Sequence, residues 1–162
     1  MRIKGIIDED FVNYRKPAMF ISTCSCSGKC CTEAGIPLSV CQNHELNNTE
    51  TKNISDQQII ERYLDNDITR SIVFGGLEPF EQFDELHHFI HMLRTKYLCY
   101  DDVVIYTGYY PHEIDREITI LEDYQNIVVK FGRYKPNHEP HYDEILGVNL
   151  ASDNQFAQVV GW

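Results

Sequence analysis

The sequence contains no Cys-x-x-Cys pair, although six cysteines are present and five of them fall between Cys24 and Cys41. Structural zinc sites are commonly built from two such short pairs, so the absence weakens the simplest zinc reading. No apolar run approaches the roughly 20 residues of a membrane-spanning helix, and no apolar signal region follows the charged start Met1-Arg2-Ile3-Lys4-Gly5. The chain is therefore expected to be cytoplasmic, with no membrane partner. Basic residues are scarce: Lys and Arg number 14 against 25 Asp and Glu, for a net charge of −11. The clustered Lys and Arg of a nucleic-acid footprint are missing, which argues against a nucleic-acid partner. Internal repeats and low-complexity tails are absent as well. The 162 residues are read as one domain spanning 1–162, long enough to bury a core.

Short apolar runs punctuate the chain. Residues 3–7, 18–23, 71–74, 103–106 and 127–129 read as strands, and 145–149 as the last. The intervening Asp8-Glu9-Asp10 reads as a solvated turn, and residues 42–54 as a polar surface loop. Ser55 followed by Gln58 is a capping-box pattern that starts a helix carrying Ile59, Ile60, Tyr63 and Leu64 on one face. Leu86, Phe89, Ile90 and Leu93 mark a second helix over 81–97, and Ile114, Ile118 and Leu121 a third. Strands that alternate with amphipathic helices predict an α/β fold with a mainly parallel sheet. An open, partial β/α barrel is the expected form, with a doubly wound sheet as the competing arrangement. Either form gathers function at the C-terminal strand ends. The cysteines, Gly75-Gly76 and Thr107-Gly108 all follow successive strands there.

Clustered cysteines in a cytosolic chain point to metal binding or redox chemistry. Cys26 and Cys30, three residues apart, can wrap one loop around an iron–sulfur cluster, and Cys41 closes the set. Cys24 is assigned to the strand end, and Cys31, adjacent to a ligand, is expected to point away. The lone Cys99 reads as a buried small hydrophobe. On spacing alone, a cluster, a zinc ion and a group of reduced thiols all remain open. Gly75-Gly76 is equally a plain strand-to-helix turn, and Thr107-Gly108 a common turn pair. His87, His88 and His91 include an i, i+4 pair but lack the acidic third ligand of a zinc helix, so they read as solvated or partly packed, as do His138 and His141.

The motifs taken together resemble the radical S-adenosylmethionine (SAM) superfamily. Within it they resemble the activating proteins of anaerobic, class III ribonucleotide reductase, in a small subgroup with a long gap before the third cluster cysteine. Cys26-Ser27-Gly28-Lys29-Cys30 and Cys41-Gln42-Asn43 match the cysteine signature, with 31–40 inserted. Gly75-Gly76-Leu77-Glu78-Pro79 is similar to the family's Gly-Gly-Glu-Pro strand end, with Leu77 inserted. Ile105-Tyr106-Thr107-Gly108-Tyr109, Phe131-Gly132-Arg133-Tyr134 and Ala151-Ser152-Asp153-Asn154-Gln155 resemble further family segments in order. Two departures accompany the insertion. Gly28 stands where an aromatic is usual, and Phe131 replaces an Asp.

The resemblance implies a [4Fe-4S] cluster on Cys26, Cys30 and Cys41, with SAM held by Gly75, Gly76, Glu78 and Pro79. Tyr106, Thr107, Gly108 and Asn43 are weaker implied contacts. No catalytic side chain beyond cluster and SAM is implied. The implied reaction is reductive cleavage of SAM that places a glycyl radical on a large partner, anaerobic ribonucleotide reductase, with flavodoxin or ferredoxin as electron donor. The alternatives are a radical SAM enzyme acting on another substrate, or a non-catalytic metal- or cluster-binding interaction module.

Overall fold

Each β-branched run becomes a strand, and each amphipathic run a helix. The computed structural model describes residues 1–161. In chain order the elements are β1 (Arg2–Asp10), β2 (Ala18–Thr23), α1 (Lys29–Ala34), α2 (His44–Asn48), β3 (Lys52–Asn53), α3 (Asp56–Leu64), β4 (Ser71–Gly75), α4 (Phe83–Thr95), β5 (Asp102–Tyr106), α5 (Asp115–Leu121), β6 (Ile127–Phe131), β7 (His141–Asp143), β8 (Val148–Leu150) and β9 (Phe156–Gly161). Seven strands form one mixed sheet in the order β3-β1-β2-β4-β5-β6-β9, and β7 and β8 form a separate hairpin. The central four are parallel, with Met19 opposite Ile72, Ile72 opposite Val103 and Val103 opposite Ile127. Strands β1, β3 and β9 are joined antiparallel.

From β2 to β4, β5 and β6 the chain advances in one direction across the sheet. Right-handed crossovers of that kind place every connecting helix on the same face. Ile59, Ile60 and Tyr63 of α3, Leu86, Phe89, Ile90 and Leu93 of α4, and Leu121 of α5 accordingly share one core with Ile72, Phe74, Val103, Ile105, Ile127 and Val129. Phe74 meets Phe89 edge-on at 5.2 Å. On the opposite face Val73, Val104 and Val128 pack under Tyr14, Leu146 and Leu150, residues of a loop and of the hairpin. Helices α3, α4 and α5 thus share one face of the sheet. Coverage on both faces explains why β4 and β6 are buried at every position.

The capping box is present: Ser55 Oγ accepts from Gln58 N at 3.2 Å, and Gln58 Oε1 accepts from Ser55 N at 3.2 Å. Other expectations need correction. Asp8-Glu9-Asp10 is not a solvated turn but the end of β1, with Asp10 buried and accepting from Asn13. Residues 42–54 hold the short α2 and β3 rather than a plain loop. Residues 145–149 are not a single strand. Asp143 accepts from Leu146 N at 2.9 Å and turns the chain between β7 and β8, while its other oxygen accepts from Ala157 N. The last strand of the main sheet is β9. Among the described residues, no helix is long and apolar enough to cross a membrane.

Candidate functional site

Four segments meet at the C-terminal edge of the parallel strands. The loop after β2 supplies Cys26 and Ser27, and α1 supplies Lys29 and Cys30. The turn after β4 supplies Glu78 and Glu81, the turn after β5 supplies Gly108 and Tyr109, and the segment after β6 supplies Arg133; together they line one cleft. The cysteine loop is stitched to the β4 turn by backbone donors that meet one backbone and two side-chain acceptors. Glu78 N donates to Ser25 O at 2.7 Å, Ser27 N to Glu81 Oε1 at 2.7 Å, and Cys24 N to Gln82 Oε1 at 2.7 Å.

Glu78 is 8% exposed, and burial raises its carboxyl above the usual carboxylate range. Three donors oppose that shift: Thr107 Oγ1 at 2.7 Å, Gly108 N at 2.9 Å and Phe80 N at 3.1 Å. A carboxylate so satisfied is held rigidly while still bordering the cleft. Thr107 thus acts on Glu78, and Pro79 opens the 3-10 turn Pro79–Gln82 that fixes it.

Cys26 and Cys30 both border the cleft, half-buried. Burial pushes the Cys26 thiol up to about 11, with Glu81, Cys30 and Glu78 adding to the rise and the Gly28 N–H opposing it. Cys41 is half-buried and follows the 3-10 turn Leu38–Val40. Cys31 does not point away from this group. It is buried, and burial together with its neighbours Cys30 and Cys41 pushes its thiol up to about 11. Cys31 therefore neighbours both Cys30 and Cys41, and Cys26, in the loop before α1, neighbours Cys30. Among the described residues, no three His, Cys, Asp or Glu side chains converge to hold a single metal ion. An iron–sulfur cluster is wider than one ion, and its soft thiolate ligands stand apart around it. The donor set fits that group by chemistry and by its place at the strand ends.

Gly28 begins α1 at φ +72°, in the left-handed region, and a Cβ there would lie 2.2 Å from Leu38 Cδ2. The inserted segment thus folds back onto the very position where the related signature carries an aromatic. Gly76 also has a left-handed φ of +77°, and a Cβ would lie 2.8 Å from Leu46 Cδ2. At Gly75 the space is bounded by the Phe20 ring at 3.1 Å and Tyr106 Cβ at 3.4 Å. Of the anticipated site residues, Cys41, Asn43, Gly75, Gly76, Pro79, Tyr106 and Thr107 do not line the cleft. Tyr106 commits its hydroxyl to Asn13 O at 2.6 Å, and Asn43 is exposed at the start of α2.

A charged clamp crosses the mouth. Arg133, 5% exposed, donates from Nη1 to Glu113 Oε2 at 2.7 Å, from Nη2 to Glu113 Oε1 at 2.5 Å and from Nε to Glu33 Oε2 at 2.9 Å. Lys29 pairs with the same Glu113. Arg133 also stands over the Tyr109 and Tyr110 rings at 5.8 and 5.1 Å. The Arg133 guanidinium, helped by Lys29, holds the Glu113 carboxyl far below the usual range. With α1 held down, the cleft encloses only about 30 Å³, room for about one water molecule.

Sequence reasoning passed over Glu113, Glu33, Lys29 and Lys130. Lys130 had a legible signal: it interrupts the apolar run Ile127-Val128-Val129-Lys130-Phe131 within a strand flanked on both sides. It is 7% exposed, and burial pushes its ammonium down to about 8 against the opposing fields of Glu78 and Cys30. The histidines lie elsewhere: His87 and His91 contact the Tyr124 hydroxyl at 2.8 and 3.2 Å, and His88 contacts Asp56 at 2.6 Å. Comparison with protein families matches residues 15–155 to the model described as a 4Fe-4S single cluster domain. No curated protein and no solved structure matches the chain.

Proposed function

The chain belongs to the 4Fe-4S single cluster domain family, and from that premise we propose that it is a radical SAM activating enzyme. The observation that carries the reading is the meeting of Cys26 and Cys30 with Glu78 and Gly108 across one cleft. Cluster ligands and a carboxylate suited to an ammonium group then face each other at the strand ends. We read β2, β4, β5 and β6 as the core of a partial β/α barrel whose inner edge bears this site.

Cys26, Cys30 and Cys41 would hold the cluster, which when bound would supply the electron for reductive cleavage of SAM. Glu78, prepared by Thr107, Gly108 and Phe80, would receive the amino group of the methionine moiety. Gly75, Gly76 and Pro79 shape the turn that presents it. In a cleft this narrow, SAM enters only as α1 lifts from Arg133 and Glu113. The substrate we propose is a glycine of a large partner, an anaerobic ribonucleotide reductase, with a flavodoxin or ferredoxin as donor.

Anaerobic reconstitution with iron and sulfide, followed by reduction with SAM present, tests the reading. Formation of 5′-deoxyadenosine that depends on the cluster is expected. A loaded, reducible cluster that yields none, with or without the partner, would overturn it.

A further inference from the structure

Lys130 lies on β6 in the register of Val128, on the face opposite the helices, since Ile127, Val129 and Phe131 belong to the helix-side core. Its position is one residue from the C-terminal end of that strand, the edge where the cysteine loop and Glu78 meet. The side chain is more than nine-tenths buried. Among the described residues its ammonium has a single acceptor, Gly132 O at 2.9 Å, and that carbonyl is shared with Gln155 Nε2 at 3.2 Å. Among the described residues, no carboxylate lies within ion-pair distance of it. A buried charge is costly unless paired, so a lysine held this way requires negative charge from another source. The negative neighbours it senses are Glu78 and Cys30. Glu78 is already engaged by three donors of its own.

We propose that Lys130 is the buried counter-charge of the iron–sulfur cluster, stabilising its reduced state and so setting its reduction potential. Each electron taken up makes the cluster and its thiolates one unit more negative, with no bond made or broken in the protein. A fixed cation in a region shielded from water, within the electrostatic reach of Cys30, favours that added charge. Net charge and burial are among the means by which a protein tunes such clusters. The inference rests on Cys30 being a cluster ligand. It does not rest on SAM cleavage.

The test is a redox titration of the reconstituted protein without SAM, followed by electron paramagnetic resonance, for the wild type and for Lys130→Met, Lys130→Gln and Lys130→Arg. At a fixed ambient potential the reduced-to-oxidised ratio should fall about tenfold in Lys130→Met and Lys130→Gln, which is about 59 mV for a one-electron couple. Lys130→Arg should stay near the wild type. An unchanged potential in the neutral variants would overturn the proposal, even if their affinity for SAM fell. It would also be overturned if the neutral variants failed to load a cluster that Lys130→Arg loads, since that assigns Lys130 to assembly. A full cluster in Cys30→Ala would remove its footing. A cluster that loads and shifts as expected but never cleaves SAM would sink the proposed reaction and leave this inference standing.

Discussion

At the scale of the residue, the thiols are the sharpest issue. Cys26, Cys30 and Cys41 each replaced by Ala should lose the cluster, measured as iron and sulfide per chain, while Cys31→Ala should keep it. Cys31 is the natural rival because it is buried beside both Cys30 and Cys41. Retention by Cys41→Ala with loss in Cys31→Ala would exchange their roles. Lys130 offers a second residue-scale test. Burial depresses its folded pKa to about 8 from its ordinary value of 10.5. Its neutral form therefore fits the fold without cost above the unfolded value, and the cost grows as pH falls from 10.5 toward 8 and is fully present below the folded value. At pH 7 the cluster-free Lys130→Met protein should be more stable than the wild type by about 1–3 kcal/mol. The gain should shrink as pH rises from 8 toward 10.5. Chemical denaturation at the two pH values would measure it, and a loss of stability at pH 7 would contradict the burial argument.

At the scale of the element, α1 lines the cleft through Lys29 and Cys30. Only six residues long, it cannot stand alone as a helix. It is held by Lys29 and Glu33 against Glu113 and Arg133, and by Leu38 packed on Gly28. Glu113→Gln keeps the shape and removes the charge from the clamp. It should cost about 1–3 kcal/mol and speed amide exchange across residues 29–34. Because the folded pKa of Glu113 is lowered, its contribution is present above the unfolded carboxylate value and fades as pH falls through the folded one. The difference between wild type and Glu113→Gln should therefore narrow in acid. Equal exchange in α1 at neutral pH would show that the helix is held by packing alone.

At the scale of the whole molecule, antiparallel strands complete a parallel sheet on both sides. β9 lies against β6, and its last residue, Gly161, has no room for a side chain: a Cβ would sit 1.8 Å from Tyr124 O. Backbone rather than a flexible side chain is the obstacle, so Gly161→Ala should lower stability by at least about 2 kcal/mol. A thermal melt unchanged from the wild type would mean that the loop at Tyr124 yields without cost. β9 lies beside β6, the strand that carries Lys130 and leads to Arg133, so the loss should reach the site as a weaker hold on the cluster.

The chain's local patterns determined much of this unaided. β-branched runs predict the parallel strands, Ser55 and Gln58 predict the start of α3, and the clustered cysteines point to the iron–sulfur cluster of the family. These signals are local because period, capping and turn chemistry act over a few residues. Other features were beyond local reading. Asp10 is legible as a turn residue until β2 pairs alongside and buries it. Ile145 and Leu146 read as strand until Asp143 bonds Leu146 N and Ala157 N and makes them a turn. The clamp joins residues 29, 33, 113 and 133, which no window along the chain contains. Lys130 lies between these cases: its place in an apolar strand is written in the sequence. Its isolation among acceptors, with Cys30 and Glu78 as its charged neighbours, exists only once four strand ends meet, because electrostatic energy depends on distance in space and on exclusion of water.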